Sequence, residues 1–129
     1  MEGFDFVHRE TARFSDVDAM GHVNNAVYLT YLEEARAAWM LELGLAAGHD
    51  FPIIIARAEI DFRSPIRFAE EIEIGVRAGR FGTKSFDLEY ELRAGGRVAA
   101  EAKTTCVAYD YGRGETVTIP DDWREALAA

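Results

Sequence analysis

The chain has few of the residues that would cross-link it. A single cysteine, Cys106, among 129 residues excludes an internal disulfide and points to a reducing, cytoplasmic compartment. The three prolines fall in no Pro/Gly/Ser-rich run, so a flexible linker is excluded. No apolar stretch approaches the roughly 18 residues of a membrane span. The first residues, MEGFDFVHRE, lack the basic segment and apolar core of a secretory signal. No membrane partner is expected. Basic residues are scarce as well, 14 against 23 acidic ones. The resulting net charge of −9 argues against a nucleic-acid partner, because phosphate neutralisation needs a basic surface. The histidines, His8, His22 and His49, show no metal-ligand spacing with one another or with Cys106. Glycine-rich phosphate and dinucleotide loops are missing, as is a G-x-S-x-G elbow. The expectation is no metal, no cofactor and no serine-hydrolase chemistry.

What is present is an ordinary globular composition, 49% hydrophobic and 29% charged, suited to one domain over residues 1–129. Residues 4 to 14 read as a first strand, with Phe4, Phe6 and Phe14 buried. From about Asn24 to Leu43 the residues Tyr28, Leu32, Ala35, Trp39 and Leu43 recur at helical steps, which predicts one wide apolar face. Glu33, Glu34 and Arg36 fall away from that face, and Gly44 is a plausible stop. Four alternating segments follow. Their apolar sets are Ala56/Ala58/Ile60/Phe62, Ile72/Ile74/Val76/Ala78, Phe86/Leu88/Tyr90/Leu92 and Val98/Ala100/Ala102/Thr104/Cys106. Charged residues such as Arg57, Glu73, Asp87 and Glu101 take the opposite face, the pattern of antiparallel strands wet on one side. Hairpins are predicted at Gly79 to Gly82 and at Ala94-Gly95-Gly96, and a short helix from Pro120 through Leu127. The predicted class is α+β, a curved antiparallel sheet wrapped around one long central helix. One helix cannot cover every strand and protect both sheet edges, so self-association is expected.

The densest polar stretch, DVDAMGHVNN at residues 16–25, lies immediately before the apolar helix. Taken singly its residues have structural uses. Asp16, Asp18, Asn24 and Asn25 can cap free N–H groups at a helix start, Gly21 can make a turn, and His22 can be an ordinary loop residue. In this order, D-x-D-x-x-x-H-V-N-N before a helix and a run of strands resembles the hotdog-fold acyl-CoA thioesterases. The 4-hydroxybenzoyl-CoA thioesterase-like group is nearest, and the wording also resembles plant acyl-ACP thioesterases.

The resemblance spans nearly the whole chain and implies thioester hydrolysis of a fatty or aromatic acyl-CoA. Such a reaction needs a carboxylate to attack the carbonyl or activate water, and donors for the oxyanion. It implies Asp18 as nucleophile or general base, with His22 donating a further hydrogen bond. Asn25 lies where the helix N-terminus aims a backbone N–H at the thioester oxygen. One branch of the family carries histidine at that place, so the role implied for Asn25 rests on its N–H. Asp16 is expected to support the turn. Coenzyme A is an anion and needs a local basic cluster in so acidic a chain. The family places the segment matching Thr83-Lys84-Ser85 near the nucleotide end, which makes Lys84 the first choice for a phosphate contact, followed by Arg63 and Arg80. Tyr28 is a candidate for the acyl pocket, although tyrosines at helical spacing are commonly core. The resemblance also implies a homodimer, ahead of a homotetramer, with the site at the subunit boundary. Two alternatives share the fold: a dehydratase or hydratase acting on the acyl chain, and a non-catalytic acyl-CoA-binding module.

Overall fold

A computed structural model describes residues 1–45 and 52–128. His49 and most of the loop of residues 44 to 52 lie outside the described residues. Six strands and two helices follow in the order β1 (Phe6–Thr11), α1 (Val27–Glu42), β2 (Ile53–Phe62), β3 (Glu71–Phe81), β4 (Ser85–Ala94), β5 (Arg97–Asp110), β6 (Glu115–Thr116) and α2 (Asp121–Ala128). The sheet is antiparallel with strand order β1-β3-β4-β5-β2, and β6 pairs with β5. The two-residue β6 carries too little pattern to be legible in the sequence. No described helix is long and apolar enough to cross a membrane.

The predicted periodicities hold best where a strand has neighbours on both sides. Ile72, Ile74 and Val76 of β3 are fully buried, as are Phe86, Leu88 and Leu92 of β4 and Ala100, Cys106 and Ala108 of β5. They join Tyr28, Tyr31, Leu32, Ala35, Trp39 and Met40 of α1 in a single core. At roughly 1.5–3 kcal/mol for each large apolar side chain, that contact is the main source of stability for both layers. Burial pushes the Cys106 thiol up to about 11, as expected for a small hydrophobe rather than a reactive group. The β4–β5 turn is a two-residue hairpin. Gly95 and Gly96 both take positive φ, 59° and 77°, which suits the twist of the flanking strands. Helix α1 stops where Gly44 N–H donates to the Leu41 carbonyl and Leu45 N–H to Met40, a Schellman arrangement.

Several expectations are corrected. Phe14 is 79% exposed, because the chain leaves β1 at Thr11 and a 3-10 turn at Phe14–Asp16 breaks the alternation. The helix begins at Val27 rather than near Asn24, since Asn24 Oδ1 accepts the Ala26 N–H and holds the preceding residues in a turn. Asp87 is buried within the nominally wet face of β4, where Arg80 and the Thr105 hydroxyl pair with it. Arg36 turns inward until its side chain is only 12% exposed. Glu34 also turns inward. A hydrogen bond shared with Glu10, burial, and the Glu10 charge push its carboxyl up to about 7. Ala56, Ala58 and Phe62 stand exposed on β2, which is an edge strand bulged between Ile55 and Arg57.

Candidate active site

The loop from Arg13 to Ala26 is held by backbone before any side chain acts. Val17 bridges Val23 and His22 bridges Arg67. Asp18 N–H donates to the His22 carbonyl at 2.9 Å, and Gly21 N–H to the Asp18 carbonyl at 3.0 Å. Gly21, with φ 80°, supplies the left-handed residue that this tight turn requires. Val23 N–H donates to Ile66 at 2.7 Å and Asn24 N–H to the Asp16 carbonyl at 2.9 Å, which ties the loop to the segment between β2 and β3. Arg97 braces that segment in turn. Its guanidinium makes two bonds to Glu70, at 2.7 and 2.8 Å, and reaches the Pro65 carbonyl at 2.6 Å. The Arg97 bonds hold the Glu70 carboxyl down at about 2, despite partial burial.

The two aspartates, two residues apart, occupy different environments. Asp16 is buried and saturated: the Tyr31 hydroxyl donates to it at 2.7 Å, the Arg13 N–H at 3.0 Å, and the Arg13 guanidinium at 3.3–3.4 Å. Burial by itself raises its pKa. The bonds from Arg13 and Tyr31 more than offset this, so the carboxyl stays below its ordinary value. The same contact and burial push the Tyr31 phenol far up. Asp18 is half-buried, and among the described residues its carboxylate accepts only the Met20 N–H, on Oδ1 at 2.9 Å. Asn25 is exposed. Its carbonyl accepts the Tyr28 N–H, while among the described residues its own N–H has no acceptor. A carboxylate with spare acceptor capacity and an unpaired N–H therefore share one loop at the start of α1, where the helix dipole favours negative charge.

Tyr28 lies beneath this end of the molecule, 2% exposed, with its ring 4.9 Å from that of Phe62 at an edge-on angle. Arg63 is at the same end of the sheet, bonded to Glu101 at 3.0 Å. Exposed Phe14 and Phe68 stack edge to face at 5.8 Å beside the loop. The other predicted binding residues are elsewhere. Arg80, Thr83, Lys84 and Ser85 form the β3–β4 turn at the opposite end. There Arg80 bonds Ser85 Oγ and Asp87, and Lys84 Nζ reaches Thr116 Oγ1 at 3.4 Å. A cleft of about 420 Å³ beside them is lined by Tyr109, Tyr111, Val117 and Trp123 among others. β3, which joins the two ends, has 11 residues. At about 3.3 Å per residue that separates them by roughly 30 Å. The sequence pattern missed the Arg13–Asp16–Tyr31 clamp, since nothing local links a loop arginine to a tyrosine a full helical turn beyond the helix start.

A curved antiparallel sheet packed against one helix is the architecture of the hotdog-type thioester hydrolases. Residues 12–127 match the Thioesterase-like superfamily, and the chain belongs to it. A Thermus thermophilus thioesterase, whose structure was determined with coenzyme A and zinc, is 32% identical and superimposes with a TM-score of 0.90 over 98% of this chain and 100% of its own. The 1,4-dihydroxy-2-naphthoyl-CoA hydrolase of Synechococcus elongatus is 27% identical over 96% of this chain and 98% of its own length. The long-chain acyl-CoA thioesterase FadM of Escherichia coli is 28% identical over 86% of this chain and 88% of its own.

Proposed function

We propose that this protein hydrolyses a fatty or aromatic acyl-CoA to the free acid and coenzyme A. The observation that carries the reading is the contrast within D-x-D: Asp16 already accepts four hydrogen bonds from Arg13 and Tyr31, whereas Asp18 accepts only that of Met20 N–H among the described residues, in the same loop as the unpaired Asn25 N–H. Asp18 serves as nucleophile or as the base that activates water. Oxygen adds to the thioester carbon, the oxyanion is stabilised by Asn25 N–H and the dipole of α1, the C–S bond breaks, and the thiolate of coenzyme A takes up the proton that Asp18 removed from the attacking water. Where Asp18 itself attacks, water then hydrolyses the acyl–Asp18 anhydride, releasing the acid and supplying that proton. His22 supplies a further donor at the rim, and Tyr28 forms the floor on which the acyl group rests. The relatives support this range, since one acts on an aromatic acyl-CoA and another on a long-chain one. A thiol-release assay across aromatic and fatty acyl-CoA esters tests it. Free coenzyme A must appear. Altered acyl chains with the thioester intact would instead identify a dehydratase or hydratase, and binding without turnover a carrier module.

Assembly follows from the same geometry. The sheet's β2 edge is left exposed, with Phe62 47% and Ile55 38% exposed. Two β2 edges joined antiparallel about a two-fold axis reverse one chain relative to the other. The Asp18 end of one protomer then lies beside the Lys84 end of its partner, which removes the roughly 30 Å separation within one chain. Lys84, with Arg80, Thr83 and Ser85, would hold the phosphates of coenzyme A, and the aromatic cleft its adenine; Arg63 is the alternative cation on the Asp18 side. The charged outer face suits solvent or a polar contact between dimers, which ranks dimer before tetramer. Asp18→Asn chains refolded together with chains substituted at Arg80, Thr83 and Lys84 should recover activity at low substrate concentration. An active monomer in sedimentation would overturn the shared site.

A further inference from the structure

Strand β1 breaks the rule that its neighbours obey. Its core-facing positions are Phe6, His8, Glu10 and Ala12, opposite Val76, Ile74 and Ile72 of β3 in the first three cases. Phe6 and Ala12 pack into the core as that register requires, and the three β3 partners are fully buried. His8 and Glu10 occupy places where alternation calls for aliphatic side chains. A third ionisable group, Glu34, turns toward them from α1, against the helical pattern of the sequence. The cluster therefore sits between the sheet's edge strand and the helix, half-buried throughout.

The donors of this cluster are arranged to share one partner. One imidazole nitrogen and one oxygen from each carboxylate all lie within 4.8 Å of one another, with His8 Nε2 3.7 Å from Glu10 Oε1. With both carboxylates ionised, His8 Nε2 and Glu34 Oε2 are shielded from solvent and have no hydrogen-bond partner. Among the described residues these two are the only buried side-chain polar atoms so left, and both belong to this cluster. A protonated histidine does not resolve this. It would offer one charge to Glu10 at a distance too long for a hydrogen bond, and a proton shared between Glu34 and Glu10 still leaves His8 Nε2 without a partner. A divalent cation at the centre satisfies all three donors together.

We propose that His8, Glu10 and Glu34 bind one divalent transition-metal ion of the zinc class, which clamps edge strand β1 to helix α1. The imidazole donor favours zinc-like ions over calcium or magnesium, which take oxygen ligands. Metal–ligand bonds of about 2.0–2.2 Å place tetrahedral donors roughly 3.4 Å apart. The His8–Glu10 pair is already close to that spacing, and rotation of the Glu34 side chain closes the remainder. Three protein ligands leave a fourth position for water. The clamp lies next to the Arg13–Asp16–Tyr31 bonds, so its first effect is on the rigidity of β1 and α1. It does not depend on which thioester the protein cleaves.

The test uses the full chain stripped with chelator and titrated with zinc by calorimetry, and with cobalt followed by visible absorption. One ion per chain is expected, with tetrahedral cobalt bands. At a hundredfold excess over Kd the Tm should rise by about 5 °C or more. Glu34→Gln, a one-atom change that keeps side-chain volume, should weaken binding at least about tenfold, as should His8→Gln. Replacing His22 and His49 together by glutamine should leave zinc binding intact. If His8→Gln fails to fold, Glu34→Gln decides alone. No saturable uptake, or uptake that survives Glu34→Gln, overturns the proposal.

Discussion

The two ends of the sheet make an instructive pair. At one end, acidic and amide groups gather in a braced loop: Asp16 is consumed in structure, Asp18 is left available, and a helix N-terminus faces outward. At the other, a hairpin tip displays Arg80 and Lys84 beside an aromatic cleft. Among the described residues the first end has a carboxylate with spare acceptor capacity and an unpaired N–H, and its Arg13, Arg63 and Arg97 are each paired with a carboxylate. The second has cations and aromatic rings, with Asp87 already paired to Arg80. The two lie at opposite ends of the sheet, joined by β3. On the proposed function, the division predicts that chemistry and substrate capture are separable by substitution.

The largest expected effect separates the two aspartates. Asp18→Asn should lower kcat by about a hundredfold or more, as when a general base or nucleophile is lost. Its Tm should hardly move, because an amide oxygen still accepts the Met20 N–H. Near-normal turnover by that variant would end the assignment. The opposite end should answer differently. Lys84→Ala is expected to raise KM for CoA esters about tenfold, equivalent to ~1.4 kcal/mol, with kcat nearly unchanged. Truncated pantetheine thioesters should be affected less; equal losses on both would show that Lys84 does not meet the nucleotide phosphates.

Asp16→Asn should act on stability instead, costing about 1–3 kcal/mol because it weakens the acceptor of buried and charged donors. Its pH dependence has a definite sign. The folded pKa is depressed, so the contribution is fully present above the unfolded carboxylate value and is lost as pH falls through the folded one. Wild-type protein should therefore show a steeper stability loss below about pH 4 than the variant, read from denaturant midpoints at several pH values. Parallel curves would remove Asp16 from the account. The smallest effect concerns Ala69, which takes a positive φ of 69° in the segment that supports the loop. Ala69→Gly should relieve strain and raise stability by about 0.5 kcal/mol, after the entropy that glycine adds to the unfolded chain. A fall in Tm would show that the methyl group's packing outweighs its backbone strain.

Much of this was legible in the residues themselves. Strands β3, β4 and β5 keep the alternation best, Gly75, Asp87 and Ala99 apart, because each is covered on one face and paired on both sides. The helix was visible through Tyr28, Leu32, Ala35 and Trp39, and the loop through its ordered polar motif. Legibility failed where a position's environment is set from a distance. Phe14 reads as a core aromatic until the strand ends early. Ala56, Ala58 and Phe62 alternate like a buried strand, yet β2 lies at an edge and these three are exposed among the described residues. Glu34 and Arg36 read as solvent-facing on a helical wheel, and only the approach of β1 and the sheet turns them inward.

By itself the sequence determined the element types, their approximate bounds and the order of the loop motif, because hydrophobic period, turn glycines and capping residues act within a few positions of themselves. Only the tertiary structure decided that β1 pairs with β3 rather than with its successor, and that Asp16 is spent while Asp18 is free. It also brought His8, Glu10 and Glu34 to one point and set Lys84 at the far end from Asp18. Those outcomes depend on which surfaces meet after the core has closed, and burial is a property of the whole packed chain, not of any window within it.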